Sequence, residues 1–127
     1  YKKMMHFLAK HLVYTESYLK HGKEFIYGDK YTAADCLLTV LLHRVNEMRF
    51  YDVFDGKMLP NISKYWNTVT SRPSYKEAII DYETGEWKPE IDALYGDGPN
   101  TYSTSLVDNI NNILKKENWI WLNLFVK

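Results

Sequence analysis

The sequence predicts an all-α domain, and three observations carry that prediction. Apolar residues recur at the helical period in several segments. Proline and glycine stand at the ends of these segments, where helices begin and stop. The short aromatic segment that begins with Phe25-Ile26-Tyr27 does not suit a helix, and it has no partner strand. We therefore expect about five helices, packed around a central one that starts at Thr32 and ends near Arg49.

Length and composition set the protein class. With 127 residues, 46% of them hydrophobic, the chain suits a single globular domain. Sixteen basic and sixteen acidic residues balance, so no overall field attracts nucleic acid or an anionic membrane. The lone Cys36 excludes an internal disulfide and fits a reducing compartment. Neither a signal peptide nor the roughly 20 apolar residues of a transmembrane segment is found, so we expect a cytoplasmic protein.

The first predicted helix covers residues 3–20. Its apolar positions share one face and are Met5, Leu8, Leu12 and Leu19, with Thr15 between them. The residues expected to face water are Lys2, Lys10, Glu16 and Lys20. Gly22 then supplies a helix stop.

The central helix begins with an acidic capping box formed by Thr32 and Asp35. In this pattern the Thr32 hydroxyl accepts from the amide of Asp35, and the Asp35 carboxylate accepts from the amide of Thr32. Tyr31 and Cys36 occupy the two positions of a hydrophobic staple, which predicts a buried, inert cysteine. The spacing thus gives Thr32 and Asp35 a structural role, not a catalytic one.

Nearly every residue between this cap and Leu42 is apolar, with Thr39 as the exception. A helix that is apolar on all sides is normally enclosed by protein, so we expect this helix to be the buried centre of the fold. Polar residues return from His43 onwards, where the helix is expected to reach solvent.

Two further helices are predicted by proline positions. Pro60 suits the first turn of a helix. The apolar positions of that helix are Ile62, Tyr65, Trp66 and Val69. The Arg72-Pro73 pair ends this helix and starts the next one. The buried face is expected to continue through Tyr75, Ala78, Ile79 and Tyr82.

Composition changes after residue 83, where glycine and proline become frequent. We divide the chain into a helical core (1–83), a linker (84–103) and a C-terminal amphipathic helix (104–127). The last helix is expected from about Ser105. Its apolar face is formed by Leu106, Ile110, Ile113 and Leu114.

Two ordered motifs resemble the C-terminal helical domain of the glutathione transferase superfamily. The first is Tyr27-Gly28-Asp29-Lys30-Tyr31-Thr32-Ala33-Ala34-Asp35, similar to the loop and cap of the family's buried sixth helix. The second is Pro60-Asn61-Ile62 with Tyr65-Trp66, followed by Ser71-Arg72-Pro73-Ser74-Tyr75-Lys76-Glu77-Ala78, similar to its seventh and eighth helices. The resemblance covers residues 5–82. Leu42-His43-Arg44-Val45 is also similar to the ganglioside-induced differentiation-associated branch.

The resemblance implies a function that is shared with another domain. Family members bind glutathione as co-substrate chiefly through a thioredoxin-like N-terminal domain, which also supplies the catalytic residue. The helical domain contributes the site for a small hydrophobic electrophile, and many members form homodimers. The resemblance therefore implies no catalytic or glutathione-binding residue within this sequence and no activity for it alone. Non-catalytic relatives, in translation complexes and at the outer mitochondrial membrane, imply an assembly module as the alternative.

The remaining candidate residues lie at the end of the chain. Trp119, Trp121 and Phe125 belong to an apolar segment that fits three roles. It packs as an extra core helix, covers the hydrophobic-substrate pocket, or binds a partner or a membrane surface. The histidines lack acidic or cysteine neighbours at metal-ligand spacing, so we expect no metal site. Lys115-Lys116 is too short for a nucleic-acid site.

Overall fold

The all-α prediction is confirmed by the computed structural model. The structure describes residues 1–82 and 88–125, with side chains up to Glu117 except that of Tyr95. Within this part, the only β-type pairing is a single bridge between Phe25 and Gly28. The helices are α1 (Lys2–Leu19), α2 (Ala33–Glu47), α3 (Pro60–Thr70), α4 (Pro73–Ala78), α5 (Lys88–Tyr95) and α6 (Ser103–Phe125). Short 3-10 helices cover Tyr51–Val53 and Ile80–Tyr82.

The hydrophobic core lies between α1, α3 and α6, with one side of α2 completing it. The most extensive helix contact joins α1 to α6, followed by α1 with α3. Fully buried side chains come from all four helices and the α2–α3 connection, and include Leu12, Leu42, Phe50, Val53, Leu59, Ile62, Leu106 and Ile110. The C-terminal helix is therefore part of the same core as the first helix.

Glu16 does not face water, contrary to the prediction. Its side chain is buried on the core face of α1, among Leu12, Val13 and Leu19. Its carboxylate accepts hydrogen bonds from the backbone nitrogens of Asn61 and Ile62, at 2.9 and 2.8 Å. Because α3 has no capping side chain of its own, Glu16 occupies the position of its missing N-cap.

The prediction that α2 is enclosed on all sides is wrong. Its buried residues form one stripe, made of Asp35, Thr39, Leu42 and Val45. The opposite side is open to solvent and carries leucine and valine side chains. The apolar sequence of α2 therefore serves two surfaces, only one of which belongs to the core.

The buried face predicted for residues 75–82 is only partly present. Tyr75 and Ile79 are half-buried, as expected, whereas Ala78 and Tyr82 are exposed. For Tyr82 the reason is that α4 ends at Ala78 and a 3-10 turn follows. The change from 3.6 to 3.0 residues per turn rotates Tyr82 off the face on which the helical period would place it.

The segment predicted as a linker contains helix α5, and it is bound to the body through the end of α2. Arg49 forms an ion pair with Asp92 and donates to the carbonyl of Gly96. The amide side chain of Asn100 donates to the carbonyl of Met48 at 2.8 Å. The division of the chain at residues 83 and 103 remains a prediction, but 88–103 is ordered structure in contact with the core.

Candidate functional site

At the start of α2, the carboxylate of Asp35 makes the contact with the amide of Thr32 that a capping box requires. Thr32 is the N-cap, with an extended backbone, and Asp35 is the third helical residue. Oδ2 of Asp35 accepts from the backbone nitrogen of Thr32 at 2.9 Å and from its hydroxyl at 3.0 Å. This carboxylate oxygen therefore holds the chain at the point where the loop becomes helix.

The second oxygen of Asp35 connects two more elements. Oδ1 accepts from the backbone nitrogen of Ile26 at 3.0 Å and from the hydroxyl of Tyr65 at 2.9 Å. The side chain of Asp35 is completely buried. One buried carboxylate thus joins the loop before α2, α2 itself and α3.

These contacts determine the charge states of Asp35 and Tyr65. Burial by itself raises the pKa of Asp35, but hydrogen bonds from the amides of Ile26 and Thr32, then from the hydroxyls of Tyr65 and Thr32, bring it below the ordinary value. Burial, followed by the hydrogen bond to Asp35, raises the pKa of Tyr65. At neutral pH Asp35 is an anion and Tyr65 is neutral, so neither group is poised for proton transfer.

The outer side of α2 presents an exposed aliphatic surface, which we name the α2 face. It consists of Leu37, Val40 and Leu41, which are 76%, 59% and 48% exposed. These residues are three and four positions apart, so they form a continuous strip on the helix. Contiguous exposed apolar surface is typical of interaction sites.

An aromatic and cationic cluster borders the N-terminal end of α2. The guanidinium of Arg72 lies 3.6 Å from the centre of the Tyr31 ring and 5.4 Å from that of Phe25. The hydroxyl of Tyr31 is 3.2 Å from the hydroxyl of Thr39. Cys36 is exposed, so the prediction of a buried staple partner for Tyr31 is wrong. Tyr31 packs against Arg72 and Phe25 instead.

His43 is part of a polar chain that includes Glu47, four residues later, so the expectation that the histidines lack acidic neighbours is wrong for this residue. Its Nδ1 is 2.8 Å from the hydroxyl of Tyr75, and its Nε2 is 3.6 Å from Oε1 of Glu47. Glu47 also pairs with Arg44 at 2.9 Å. The order hydroxyl, imidazole and carboxylate is one that enzymes use in proton transfer. Here it joins α4 to α2 beside the ring contact between Trp66 and Tyr75.

Two shallow cavities lie elsewhere, around the C-terminal end of α1. One encloses about 220 Å³ between α1 and the loop of Phe25 to Tyr27. The other encloses about 360 Å³ between that loop and α3. Drug-sized ligands usually occupy apolar pockets of about 300 to 1,000 Å³. The larger cavity is lined chiefly by polar side chains, and neither cavity touches His43 or Tyr75.

Within the part of the chain that the structure describes, no group of three or more histidine, cysteine, aspartate or glutamate side chains is arranged to hold a metal ion. None of its helices combines the length and hydropathy needed to cross a bilayer. The backbone of α6 continues to Phe125, but the side chains of Trp119, Trp121 and Phe125 lie outside the described residues.

Comparison with known protein families decides the relationship. Residues 2–79 match the family model described as glutathione S-transferase, C-terminal domain. The chain belongs to this family. The matched region extends from α1 to the end of α4 and includes the Asp35 contacts, the α2 face and the His43 chain. Membership in the ganglioside-induced differentiation-associated branch remains a prediction.

The other comparisons add no relative. Neither a search of curated proteins nor a search of solved structures gave a match. The assignment to the glutathione S-transferase C-terminal domain family therefore rests on the family match and agrees with the all-helical fold.

Proposed function

We propose that this domain is the helical half of a glutathione transferase-like protein, and that the α2 face packs against a thioredoxin-like domain. The observation that carries the proposal is the exposure of Leu37, Val40 and Leu41 in a chain of this family. Burying aliphatic side chains is worth about 25 cal/mol per Å², which favours a second domain on this surface. The family's description as a C-terminal domain supports an N-terminal companion.

The proposed division of work is the one that the family resemblance implies. The companion domain binds glutathione and activates its thiol, while this domain supplies apolar surface next to the reacting sulfur. A small hydrophobic electrophile would then be held between them, with water largely excluded. Conjugation requires thiolate and electrophile to be positioned together. The described residues of this chain therefore need no nucleophile of their own, and we expect the chain alone to be inactive.

The experiment uses the parent protein that contains this chain. We expect retention on glutathione-agarose and measurable conjugation of glutathione to an aryl halide. The L37S variant should weaken both, because it places a hydroxyl in the domain contact. The matched control is L94S, since Leu94 is also about equally exposed, at 70%, but lies on α5 outside the family match. Equal effects of the two variants would contradict the role of the α2 face.

The second candidate function is a non-catalytic assembly module. Exposed apolar side chains on α1, among them Met4 and Phe7, favour it, because contiguous exposed apolar surface is typical of interaction sites. A parent that neither binds glutathione-agarose nor conjugates glutathione, while still using the α2 face for domain contact, would support this candidate. Sedimentation of the parent tests the homodimer that the family resemblance implies.

A further inference from the structure

The α2 face ends at a charged residue, Arg44. This residue is seven positions after Leu37, which is about two helical turns, so both lie on the side of α2 opposite its buried stripe. The side chain of Arg44 is 61% exposed. At 1.5 Å per residue, Arg44 is about 10 Å along the helix axis from Leu37. The aliphatic surface therefore has a guanidinium at one end.

The guanidinium of Arg44 shares its counter-charge with a second group. Among the described residues, its charged partner is Glu47, whose Oε2 is 2.9 Å from Nη1. The other oxygen of Glu47 is 3.6 Å from Nε2 of His43, so one carboxylate serves both side chains. A guanidinium has several N–H donors in a planar fork, and a single carboxylate oxygen does not satisfy them all. Arg44 therefore retains donors for a further anion.

The surroundings of Arg44 change if a companion domain covers the α2 face, as in the proposed function. Water is then excluded next to the guanidinium. A charged group that leaves water needs a counter-charge and hydrogen-bond acceptors. Sites for small ligands typically combine an apolar lining with a few polar groups that fix the ligand's orientation. The α2 face together with Arg44 is such a combination, and its polar group suits an anion.

Building on the proposed function, we propose that the electrophile carries a carboxylate and that Arg44 binds it. The apolar part of the electrophile lies on Val40 and Leu41, and its carboxylate accepts from the guanidinium fork, whose planar geometry it matches. For an aryl halide, the thiolate sulfur of glutathione bonds to the ring carbon. The carbon–halogen bond breaks, and the halide leaves with the electron pair. The proton of the thiol is released to solvent. Arg44 orients the substrate and takes no part in these bond changes.

The test uses the parent protein and two aryl chlorides that differ in one group. Both are activated by a nitro group ortho to the chlorine. In the para position one has a carboxylate, and the other has a carboxamide, which has a similar shape but no charge. Each kcat/KM is divided by the rate constant of the uncatalysed reaction with glutathione, which removes the difference in intrinsic reactivity. We expect a preference of about tenfold for the carboxylate substrate.

Three variants of the parent separate the charge of Arg44 from general surface effects. Arg44→Gln removes the charge and should bring the ratio of the two corrected kcat/KM values to about one. Arg44→Lys keeps the charge without the fork and should retain part of the preference. The control is Lys57→Gln, because Lys57 also forms an exposed ion pair, with Asp55 at 3.2 Å, but lies in the connection between α2 and α3. It should leave the ratio unchanged, and circular dichroism establishes that each variant folds.

The outcomes distinguish this proposal from the proposed function. A parent that conjugates both substrates without preference would overturn the role of Arg44 and leave the proposed function standing. A parent that conjugates neither substrate contradicts the proposed function, and the proposal for Arg44 fails with it. If Arg44→Gln lowers both kcat/KM values by the same factor, the guanidinium pairs with the companion domain and not with the substrate, which also overturns the proposal. The comparison of the two substrates on the unaltered parent decides the matter even if a variant does not fold.

Discussion

The carboxylate of Glu16 lies 2.8 Å from the backbone nitrogen of Ile62, so a side chain of α1 caps the first turn of α3. Its other oxygen accepts from both the backbone and the side-chain nitrogen of Asn61, at 2.9 and 2.7 Å. The positive end of the α3 dipole faces this negative charge, which adds to the stabilisation. The packing of α1 on α3 is therefore fixed by polar contacts as well as by apolar area.

We expect Glu16→Ala to lower the free energy of unfolding by about 2 kcal/mol, because two amides at a buried helix end lose their acceptor. Urea unfolding of the chain measures this change. The control is Glu24→Ala, since Glu24 is exposed and surface substitutions usually change stability by less than about 0.5 kcal/mol. Similar losses for the two variants would show that Glu16 does not act as a cap.

The side chain of Asp35 is expected to contribute more to the free energy of unfolding than that of Glu16, because its carboxylate accepts from four hydrogen-bond donors. Asp35→Ala should lower the free energy of unfolding by about 3 kcal/mol, and Tyr65→Phe by about 1 kcal/mol. In the double variant the two losses should be less than additive, since both remove the same bond. Thermal and urea unfolding measure all three variants, with Tyr27→Phe as an exposed control. Strict additivity would contradict a direct interaction between the two side chains.

The lowered pKa of Asp35 predicts how stability depends on pH. The folded state keeps this carboxylate charged to lower pH than the unfolded state does. The resulting stabilisation is complete above the unfolded pKa of about 3.9 and is lost as the pH falls through the lower folded pKa. Urea unfolding from about pH 7 to about pH 3 should therefore show a steep loss that Asp35→Asn removes.

The matched control for that titration is Asp55→Asn. A hydrogen bond from the amide of Lys57 lowers the pKa of Asp55 as well, but this carboxylate is near the surface. Solvent screens exposed groups, so the variant should keep most of the acid-dependent loss. If Asp35→Asn retained the native profile and Asp55→Asn did not, the assignment of the acid sensitivity to Asp35 would be wrong.

The parts of the fold that sequence reasoning captured are those fixed by local rules. Thr32 and Asp35 are three residues apart, and a capping box needs only that spacing and the two side chains. The start of α3 at Pro60 and the start of α4 at Pro73 follow from the fixed φ of proline in the same way. Ile26 and Tyr65, which complete the Asp35 contacts, depend on tertiary structure and carry no local signal.

The wrong predictions for α2 and for Glu16 have a common physical origin. The type of a residue alone does not determine whether its side of a helix is buried. Leu37 and Val40 are apolar yet exposed, because α2 has one side in the core and another on the surface. Glu16 is charged yet buried, because α3 lacks a cap. A signal for Glu16 was present, since it lies four residues after Leu12 and three before Leu19 on the core stripe.

Arg49 joins the end of α2 to the segment around α5, and its backbone makes a specific prediction. It has a left-handed conformation with φ of 62°, which glycine adopts without strain and other residues adopt at a cost of about 1 kcal/mol. Arg49→Ala loses the bonds to Asp92 and Gly96 and keeps the strain, whereas Arg49→Gly loses the same bonds and relieves it. Both variants should increase amide hydrogen exchange in α5. In urea unfolding, however, Arg49→Gly should be about 1 kcal/mol more stable than Arg49→Ala. Arg44→Ala removes an ion pair in which the arginine is largely exposed, and it should change neither measurement. Unchanged exchange in α5 for both Arg49 variants would mean that the side chain does not hold this segment.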